Sequence, residues 1–151
     1  MLSCGRRCRA PVAESPDGQT PYLAPYRATD AAAAFTEERH LAILSTPGPH
    51  GAIHSVAVGF TLSEGVVRII TSDGTQKVRN VERSGSATVA QVDGRRWLSL
   101  AGRASIRREP DEVSRAVELY AQRYRQPSPN PKRVVIEILV DDVIGSPGMK
   151  G

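Results

Sequence analysis

One segment of the chain combines residue types and a spacing that can hold an anion. It runs from Arg68 to Asn80 and reads Arg-Ile-Ile-Thr-Ser-Asp-Gly-Thr-Gln-Lys-Val-Arg-Asn. The pattern predicts a strand over 66–71, a turn at Asp73-Gly74 and a short helix over 75–82. The first amide N–H groups of a helix have no intrahelical partners and carry the positive end of the helix dipole. The helix start adds a hydroxyl, an amide and an ammonium group, from Thr75, Gln76 and Lys77.

The spacing alone leaves two interpretations of this segment open. The G-x-x-x-x-G-K-[ST] spacing of a nucleotide-binding P-loop is absent. A glycine turn followed by a threonine N-cap is also typical of plain architecture. The segment is therefore either a site for phosphate or another anion at a helix N-terminus, or an ordinary link between a strand and a helix.

Basic residues are concentrated around this segment. Residues 68–108 carry nine Lys or Arg against three acidic residues, whereas the whole chain has a formal net charge of +4. A basic region of this kind indicates a solvated face, a nucleic-acid surface or a site for a polyanionic small molecule. Nucleic acid is the least favoured of the three, because no aromatic residues that stack on single strands alternate with the basic ones.

The remaining polar residues form no recognisable catalytic set. Cys4 and Cys8 have a C-x-x-x-C spacing without a nearby histidine, which is a poor zinc site, and we expect them to lie reduced in a cytoplasmic protein. Other serines and histidines lack the context of a nucleophile elbow or the spacing of metal ligands; they are Ser45, Ser55, Ser99, His40, His50 and His54. The chain thus offers binding groups without an acid–base pair, as a protein can when its cofactor carries the chemistry.

Six strands and three helices are predicted to position these groups. The strands cover 40–46, 53–61, 66–71, 87–92, 97–107 and 133–140, and the helices cover 30–39, 75–82 and 110–126. Local signals mark their ends: Thr29 as an N-cap, Gly85 as a C-cap, Asp93-Gly94 as a hairpin turn and Pro110 at a helix start. Most strands are joined by hairpins and alternating βαβ units are absent, so the expected fold is mainly β, a six-stranded antiparallel barrel with α additions.

Length and composition favour one domain with loosely attached ends. We expect residues 1–28 to be disordered or loosely attached, residues 29–145 to form the domain, and residues 146–151 to be a flexible tail. No apolar run reaches the length of a membrane span, and no apolar region follows the N-terminal arginines as it would in a secretory signal.

Five segments of the expected domain carry a family resemblance. They read Arg-His-Leu-Ala-Ile-Leu at 39–44, Val-Ala-Val-Gly-Phe-Thr at 56–61, Gln-Val-Asp-Gly-Arg-Arg-Trp-Leu-Ser at 91–99, Ala-Gln-Arg-Tyr-Arg at 121–125 and Asn-Pro-Lys-Arg-Val-Val-Ile-Glu at 130–137. As a set they resemble the pyridoxamine-5'-phosphate-oxidase-like split β-barrel family, in the branch that binds the deazaflavin coenzyme F420 rather than FMN. The resemblance implies a homodimeric FMN-binding-type split barrel.

The resemblance also implies three groups of cofactor-binding residues at the homodimer interface. A strand beneath the deazaflavin ring comprises His54, Ser55, Val56, Ala57 and Val58. The phosphate cradle comprises Asp73, Gly74, Thr75, Gln76 and Lys77, with Lys77 as the main charge and a polar contact from Asn80. A hairpin reaching over from the other subunit comprises Gly94, Arg95, Arg96, Trp97 and Leu98, whose arginines suit the carboxylates of the polyglutamate tail.

One position departs from the resemblance, and several have a structural alternative. The resemblance has a glycine where this chain has Asp73, and a carboxylate beside a phosphate is unfavourable unless it points away. Without the resemblance, Lys77 belongs to an exposed helix face, Arg95 and Arg96 to a solvated turn, and Trp97 to the core or a dimer contact.

The function implied by the resemblance is a reduction with F420 as the hydride donor. The acceptor is a conjugated molecule, for which the tetrapyrrole biliverdin is the best single candidate, because its two propionates suit a basic rim. No residue is identified as a general acid, and the proton is expected from solvent or from water held by an arginine. The alternatives are an FMN-dependent oxidoreductase on the same fold and a non-catalytic F420- or tetrapyrrole-binding carrier. No metal, nucleic acid or membrane is expected as a partner.

Overall fold

The computed structural model describes residues 25–150 and, ahead of them, only the backbone of three two-residue strands. These strands are β1 (Cys8–Arg9), β2 (Val12–Ala13) and β3 (Tyr22–Leu23). Most of the segment expected to be loosely attached, 1–28, lies outside the described residues. At its described end, Tyr26 and Ala28 pack against the hydrophobic core. Near the other terminus, Met149 belongs to that core.

Three helices and seven further strands follow in an order close to the predicted one. They are α1 (Asp30–Glu37), β4 (Ala42–Pro47), β5 (Ile53–Val58), β6 (Thr61–Ser63), β7 (Val66–Ser72), α2 (Gln76–Ser84), β8 (Ser86–Asp93), β9 (Arg96–Arg107), α3 (Pro110–Arg123) and β10 (Arg133–Gly145). A short 3-10 turn, Pro49–Gly51, links β4 to β5.

Three helix ends lie where the local signals predict them, at the start of α1, the end of α2 and the start of α3. The Thr29 hydroxyl accepts a hydrogen bond from the Ala32 amide at 3.1 Å and so caps α1. Gly85 ends α2 in the left-handed region at φ 67°, and Pro110 occupies the first position of α3. Helix α1 is shorter than predicted, because the chain turns to extended backbone at Glu38.

The strands form one antiparallel sheet in the order β5-β4-β8-β9-β10-β7-β6, and β1 pairs beside β10. The prediction of a mainly antiparallel β fold is confirmed. The prediction of six strands is wrong, because residues 25–150 contain seven. The sheet is also not closed by hydrogen bonds within those residues, since β5 and β6 are its two ends and do not pair with each other.

The extra strand arises at Gly59, where the predicted strand 53–61 divides into β5 and β6. A Cβ atom on Gly59 would lie 3.0 to 3.2 Å from the rings of Tyr120 and Tyr124 on α3, so a larger residue here would push these rings outwards. The Phe60 amide then donates to the Tyr124 hydroxyl at 3.3 Å, and the Phe60 carbonyl accepts from Arg123. Because these partners replace strand partners, the chain leaves β4 and continues beside β7.

Side chains on one face of the sheet pack into the hydrophobic core. Part of the other face is exposed to solvent. The core includes Phe35, Leu44, Phe60, Ile69 and Ile136, each at most 1% exposed. Helix α2 packs on β4 and β9, and α3 packs on β7 and β10. None of the helices in the described part of the chain is long and apolar enough to cross a membrane.

Candidate functional site

The turn between β7 and α2 leaves backbone donors without acceptors. Gly74 turns the chain at φ 78°, and an added Cβ there would meet nothing within 4 Å, so the space above it is open. Thr75 is the N-cap of α2, yet its hydroxyl donates to the Ser72 carbonyl at 3.1 Å and makes no cap hydrogen bond. The first turn of α2 contains no acidic residue. The helix N-terminus therefore presents uncapped amides and the positive end of its dipole.

Lys77 adds a cation to this same turn. Its side chain is partly buried, and this burial lowers the pKa of its ammonium group. Among residues 25–150 it has no carboxylate partner. A lysine in the first turn is also repelled by the helix dipole. An anion at the start of α2 would relieve both penalties, so the turn has the donor set and the charge of an oxyanion site.

Asp73 is the residue that departs from the family resemblance. Its carboxylate points towards Arg108. Its two oxygens accept from the Arg108 guanidinium at 3.0 and 3.1 Å, and one of them accepts from the Gly74 amide at 2.9 Å. Arg108 also binds Glu82 of α2. The hydrogen bond from Arg108 is the main cause of a lowered pKa at Asp73. Sequence reasoning missed Arg108, for which the only signal was the basic pair at 107–108.

Asn80 and Gln76 fasten α2 to the sheet. Asn80 is fully buried, and its amide nitrogen donates to the Thr46 hydroxyl at 3.1 Å. Its side-chain oxygen accepts from Gln76 at 2.8 Å and from Arg83 at 3.2 Å. The side chain of Asn80 therefore lies behind that of Gln76, away from the surface.

The predicted ring strand, β5, has two different faces. Ser55 and Ala57 are exposed, whereas His54 and Val56 are half-buried and Val58 is buried. The Ser55 hydroxyl is 2.9 Å from that of its cross-strand neighbour Ser45. Because β5 is an end strand of the sheet, one edge of its backbone is unpaired within the described residues. The Nδ1 atom of His54 on this strand is buried, and no described residue forms a hydrogen bond with it.

The predicted cofactor hairpin, 94–98, has one arginine engaged and one free. Arg96 binds both Glu38 oxygens, at 2.6 and 2.9 Å, and also binds Asp93. The hydrogen bond from Arg96 is the main cause that lowers the pKa of Glu38 to about 2. Arg95 is exposed and has no ion pair within residues 25–150. Gly94 is exposed, Trp97 is half-buried and Leu98 is buried in the core.

The structure also gathers three potential metal ligands at this hairpin. Glu38, His40 and Asp93 place one ligand atom each within 4.8 Å of one another, and His40 Nε2 is 3.1 Å from the Glu38 carboxylate. Arg96 occupies the same carboxylates. The cluster is thus already charge-compensated by a guanidinium group.

A single copy of the chain does not bring all the predicted groups together. Asp73 binds Arg108, which follows the last residue of β9, whereas the hairpin at 94–98 includes the first three residues of β9. This strand is 12 residues long, and a strand rises about 3.3 Å per residue. The hairpin and the start of α2 therefore lie at opposite ends of β9, while β5 is joined to α2 through Thr46 and Asn80.

The sheet and its helices belong to a known class of protein. The family model described as pyridoxamine 5'-phosphate oxidase matches residues 28–146, and the chain belongs to that family. A protein of Mycobacterium tuberculosis (strain CDC 1551 / Oshkosh), named F420H(2)-dependent biliverdin reductase, is 52% identical over 122 residues, which cover 80% of this chain and 89% of that protein.

Solved structures show the same fold at lower identity. A conserved hypothetical protein from Mycobacterium tuberculosis matches with a TM-score of 0.70 and 23% identity, covering 83% of this chain and 88% of its own. A structure described as an F420 reductase matches with a TM-score of 0.64 and 22% identity, covering 76% of this chain and 97% of its own. At these identities the likeness concerns the fold alone.

Proposed function

We propose that this protein is an F420-dependent reductase. The mycobacterial relative at 52% identity is named for that cofactor. The structural observation that carries the proposal is the start of α2, where uncapped amides and a partly buried Lys77 with no carboxylate partner among residues 25–150 would together suit an oxyanion. The open space above Gly74 leaves room for the phosphate of F420 at this turn. The residues present therefore fit the cofactor at its charged centre.

The chain would hold the phosphate with backbone and side-chain donors together. Lys77 would supply the charge, and the first amides of α2 would supply neutral contacts, joined by the Thr75 hydroxyl once it exchanges the Ser72 carbonyl for a phosphate oxygen. Gln76 would be oriented by Asn80, which acts from behind it. Asp73 would not oppose the phosphate, because its carboxylate is compensated by Arg108.

The deazaflavin ring would lie against β5. The small side chains of Ser55 and Ala57 face outwards and leave a flat surface, while His54, Val56 and Val58 face inwards and would contribute through the backbone. The free edge of β5 offers N–H and C=O groups to the polar edge of a ring. This arrangement fixes the ring without any titrating side chain.

We propose that the site is completed by a second copy of the chain. The hairpin at 94–98 lies far from the start of its own α2, because the two are at opposite ends of β9. Large apolar side chains are exposed around β4, β5 and β8, and the area they form is suited to an interface; they are Leu41, Ile43, Ile53 and Val92. A homodimer would cover this face and carry the partner hairpin to the cofactor.

The partner hairpin would meet the polyglutamate tail mainly through Arg95. Arg95 is exposed and free, so its guanidinium can pair with tail carboxylates. Arg96 would instead hold the shape of the hairpin while it binds Glu38 and Asp93. Gly94 and Trp97 would approach the cofactor at the tip, and Leu98 would anchor the hairpin in the core.

Biliverdin is the acceptor that we propose. Reduced F420 supplies a hydride from ring carbon C5 when it is bound. The protein would contribute by placing the two conjugated systems at near-attack distance and by screening them from water, which accounts for large rate enhancements without an acid–base pair. Basic side chains around α2 would attract the two propionates of biliverdin. The proton would come from solvent, and we propose that the reaction takes place in the cytoplasm.

Anaerobic mixing of the protein, reduced F420 and biliverdin tests this function. The expected result is formation of bilirubin together with oxidised F420, at a rate proportional to protein concentration. A parallel titration with FMN distinguishes the cofactors, since the phosphate site alone would serve both. Tight binding of FMN without affinity for F420 would contradict the proposal. F420 binding without bilirubin formation would refute biliverdin as the acceptor.

A further inference from the structure

Arg108 lies where its side chain pairs with acidic residues before and within α2. It lies in the two-residue link between β9 and α3, where its amide donates to the Glu109 carboxylate at 3.1 Å. Its guanidinium faces two carboxylates at once, Asp73 before α2 and Glu82 within it. All three of these charged side chains are between 42% and 50% exposed. The β9–α3 link thus places one guanidinium group between two carboxylates, close to the turn proposed to bind the anion.

The Asp73 carboxylate can compete with a bound anion for the N–H donors of this turn. Its carboxylate already accepts the Gly74 amide at 2.9 Å. Carboxylates just before a helix readily accept the first amides of that helix, because they satisfy orphan donors and the dipole. Thr75 leaves those amides uncapped. A carboxylate released from Arg108 would therefore compete with an incoming oxyanion for the same N–H groups and would repel it.

We infer that Arg108 is a positioning residue for cofactor binding, which acts by holding the Asp73 carboxylate away from the amides at the start of α2. The inference rests on the proposed function, because it takes the phosphate of F420 as the anion held there. It explains how a chain with aspartate at position 73 keeps an anion site. Where the resemblance has glycine, Asp73 introduces a negative charge, and Arg108 compensates that charge.

Titration of oxidised F420, followed by its fluorescence, tests the inference with an Arg108→Gln variant. The dissociation constant is expected to rise about fivefold, because an uncompensated unit charge acts on the phosphate through partly exposed surroundings. Arg108→Lys should restore most of the affinity, since the charge is kept. The difference should shrink as salt is raised. Arg115→Gln is the matched control, because Arg115 is 51% exposed, pairs with Glu64 at 3.6 Å and lies on α3.

A double substitution shows whether Asp73 transmits the effect. Asp73→Asn should bind F420 at least as tightly as the unmodified protein, and adding Arg108→Gln to it should change the dissociation constant less than twofold. If the double variant is as weak as Arg108→Gln alone, Arg108 does not act through Asp73 and the inference is overturned. Equal affinities of Arg108→Gln and Arg115→Gln would overturn it as well.

A Lys77→Ala variant separates this inference from the proposed function. Weaker binding by Lys77→Ala, with no effect of Arg108→Gln, refutes only the role of Arg108. Unchanged binding by both variants refutes the assignment of the phosphate to α2, and the inference falls with it. Thermal melting of each variant should agree with that of the unmodified protein within a few degrees, because exposed ion pairs add little stability.

Discussion

Arg123 links four segments from within the protein, and its substitution should cost much of the stability. Its guanidinium donates to the Glu38 carbonyl at 2.8 and 3.0 Å, to the Gln91 side chain at 2.6 Å and to the Phe60 carbonyl. It also lies 4.6 Å above the Phe60 ring. No carboxylate within residues 25–150 pairs with it, and burial lowers its pKa. The side chain thus joins the end of α1, the β5–β6 link and β8 to α3.

The expected loss follows from the three closest acceptors, because the fourth, the His40 carbonyl, lies 3.4 Å from the guanidinium and contributes little. Each hydrogen bond from a charged donor contributes about 2 kcal/mol, so an Arg123→Met variant forfeits about 6 kcal/mol. About half of this is offset because the guanidinium no longer has to be desolvated. The free energy of unfolding should therefore fall by about 3 kcal/mol, and the melting temperature by about 10 °C for a domain of this size.

Urea unfolding of matched variants measures this loss. Arg125→Met is the control, since Arg125 is exposed, makes no hydrogen bond within the described residues and should change stability by less than about 0.5 kcal/mol. Arg123→Lys should lie between the two, because one ammonium group keeps the charge but cannot span all three acceptors. If Arg123→Met is as stable as Arg125→Met, the stabilising role of this half-buried guanidinium is refuted.

Three further predictions concern the strand break, the hairpin and the bare sheet face. Gly59→Ala should lower the free energy of unfolding by about 1–3 kcal/mol, because the new methyl group meets the rings of Tyr120 and Tyr124; an unchanged urea midpoint would contradict this. Glu38 has a folded pKa of about 2 against 4.5 when unperturbed, so its pairing stabilises the fold above pH 4.5 and this contribution is lost as the pH falls towards 2. Glu38→Gln should therefore flatten the melting temperature over that range. Ile43→Lys should convert a dimer into monomers and weaken F420 binding, as measured by sedimentation and titration, whereas Ser114→Lys on α3 should do neither.

Local signals predicted the element ends, because their causes lie within a few residues. Thr29 caps the helix that begins beside it, and Gly85 ends the helix that precedes it. The hairpin between β8 and β9 forms at Asp93-Gly94 as predicted, with Asp93 opposite Arg96. In each case one residue and its neighbours in the chain decide the geometry, so no tertiary information is needed.

Features that depend on distant partners could not be predicted from the sequence. The division of the strand at Gly59 is set by Tyr120 and Tyr124, which come from α3. The compensation of Asp73 by Arg108 bridges 35 positions, and no local pattern announces it. The partners of such side chains are determined by the tertiary structure. Their spacing in the chain does not indicate the contact.

The ion pair between Arg96 and Glu38 is another contact within the site that the sequence alone could not predict. Sequence reasoning treated Arg95 and Arg96 alike, because adjacent residues of one type in a turn look equivalent. The structure separates them, since Arg96 reaches Glu38, which lies 58 positions earlier, while Arg95 remains exposed. The division of roles that we propose for the two arginines follows from this difference.

The most direct test of the central claim is the affinity of F420 for the Lys77→Ala variant. If the start of α2 holds the phosphate, removal of this partly buried ammonium should cost about 1.5–3 kcal/mol of binding free energy, which is roughly a tenfold to hundredfold rise in the dissociation constant. Arg115→Ala should leave the dissociation constant unchanged. An F420 affinity of Lys77→Ala equal to that of the unmodified protein would contradict the account, because the phosphate would then be bound elsewhere.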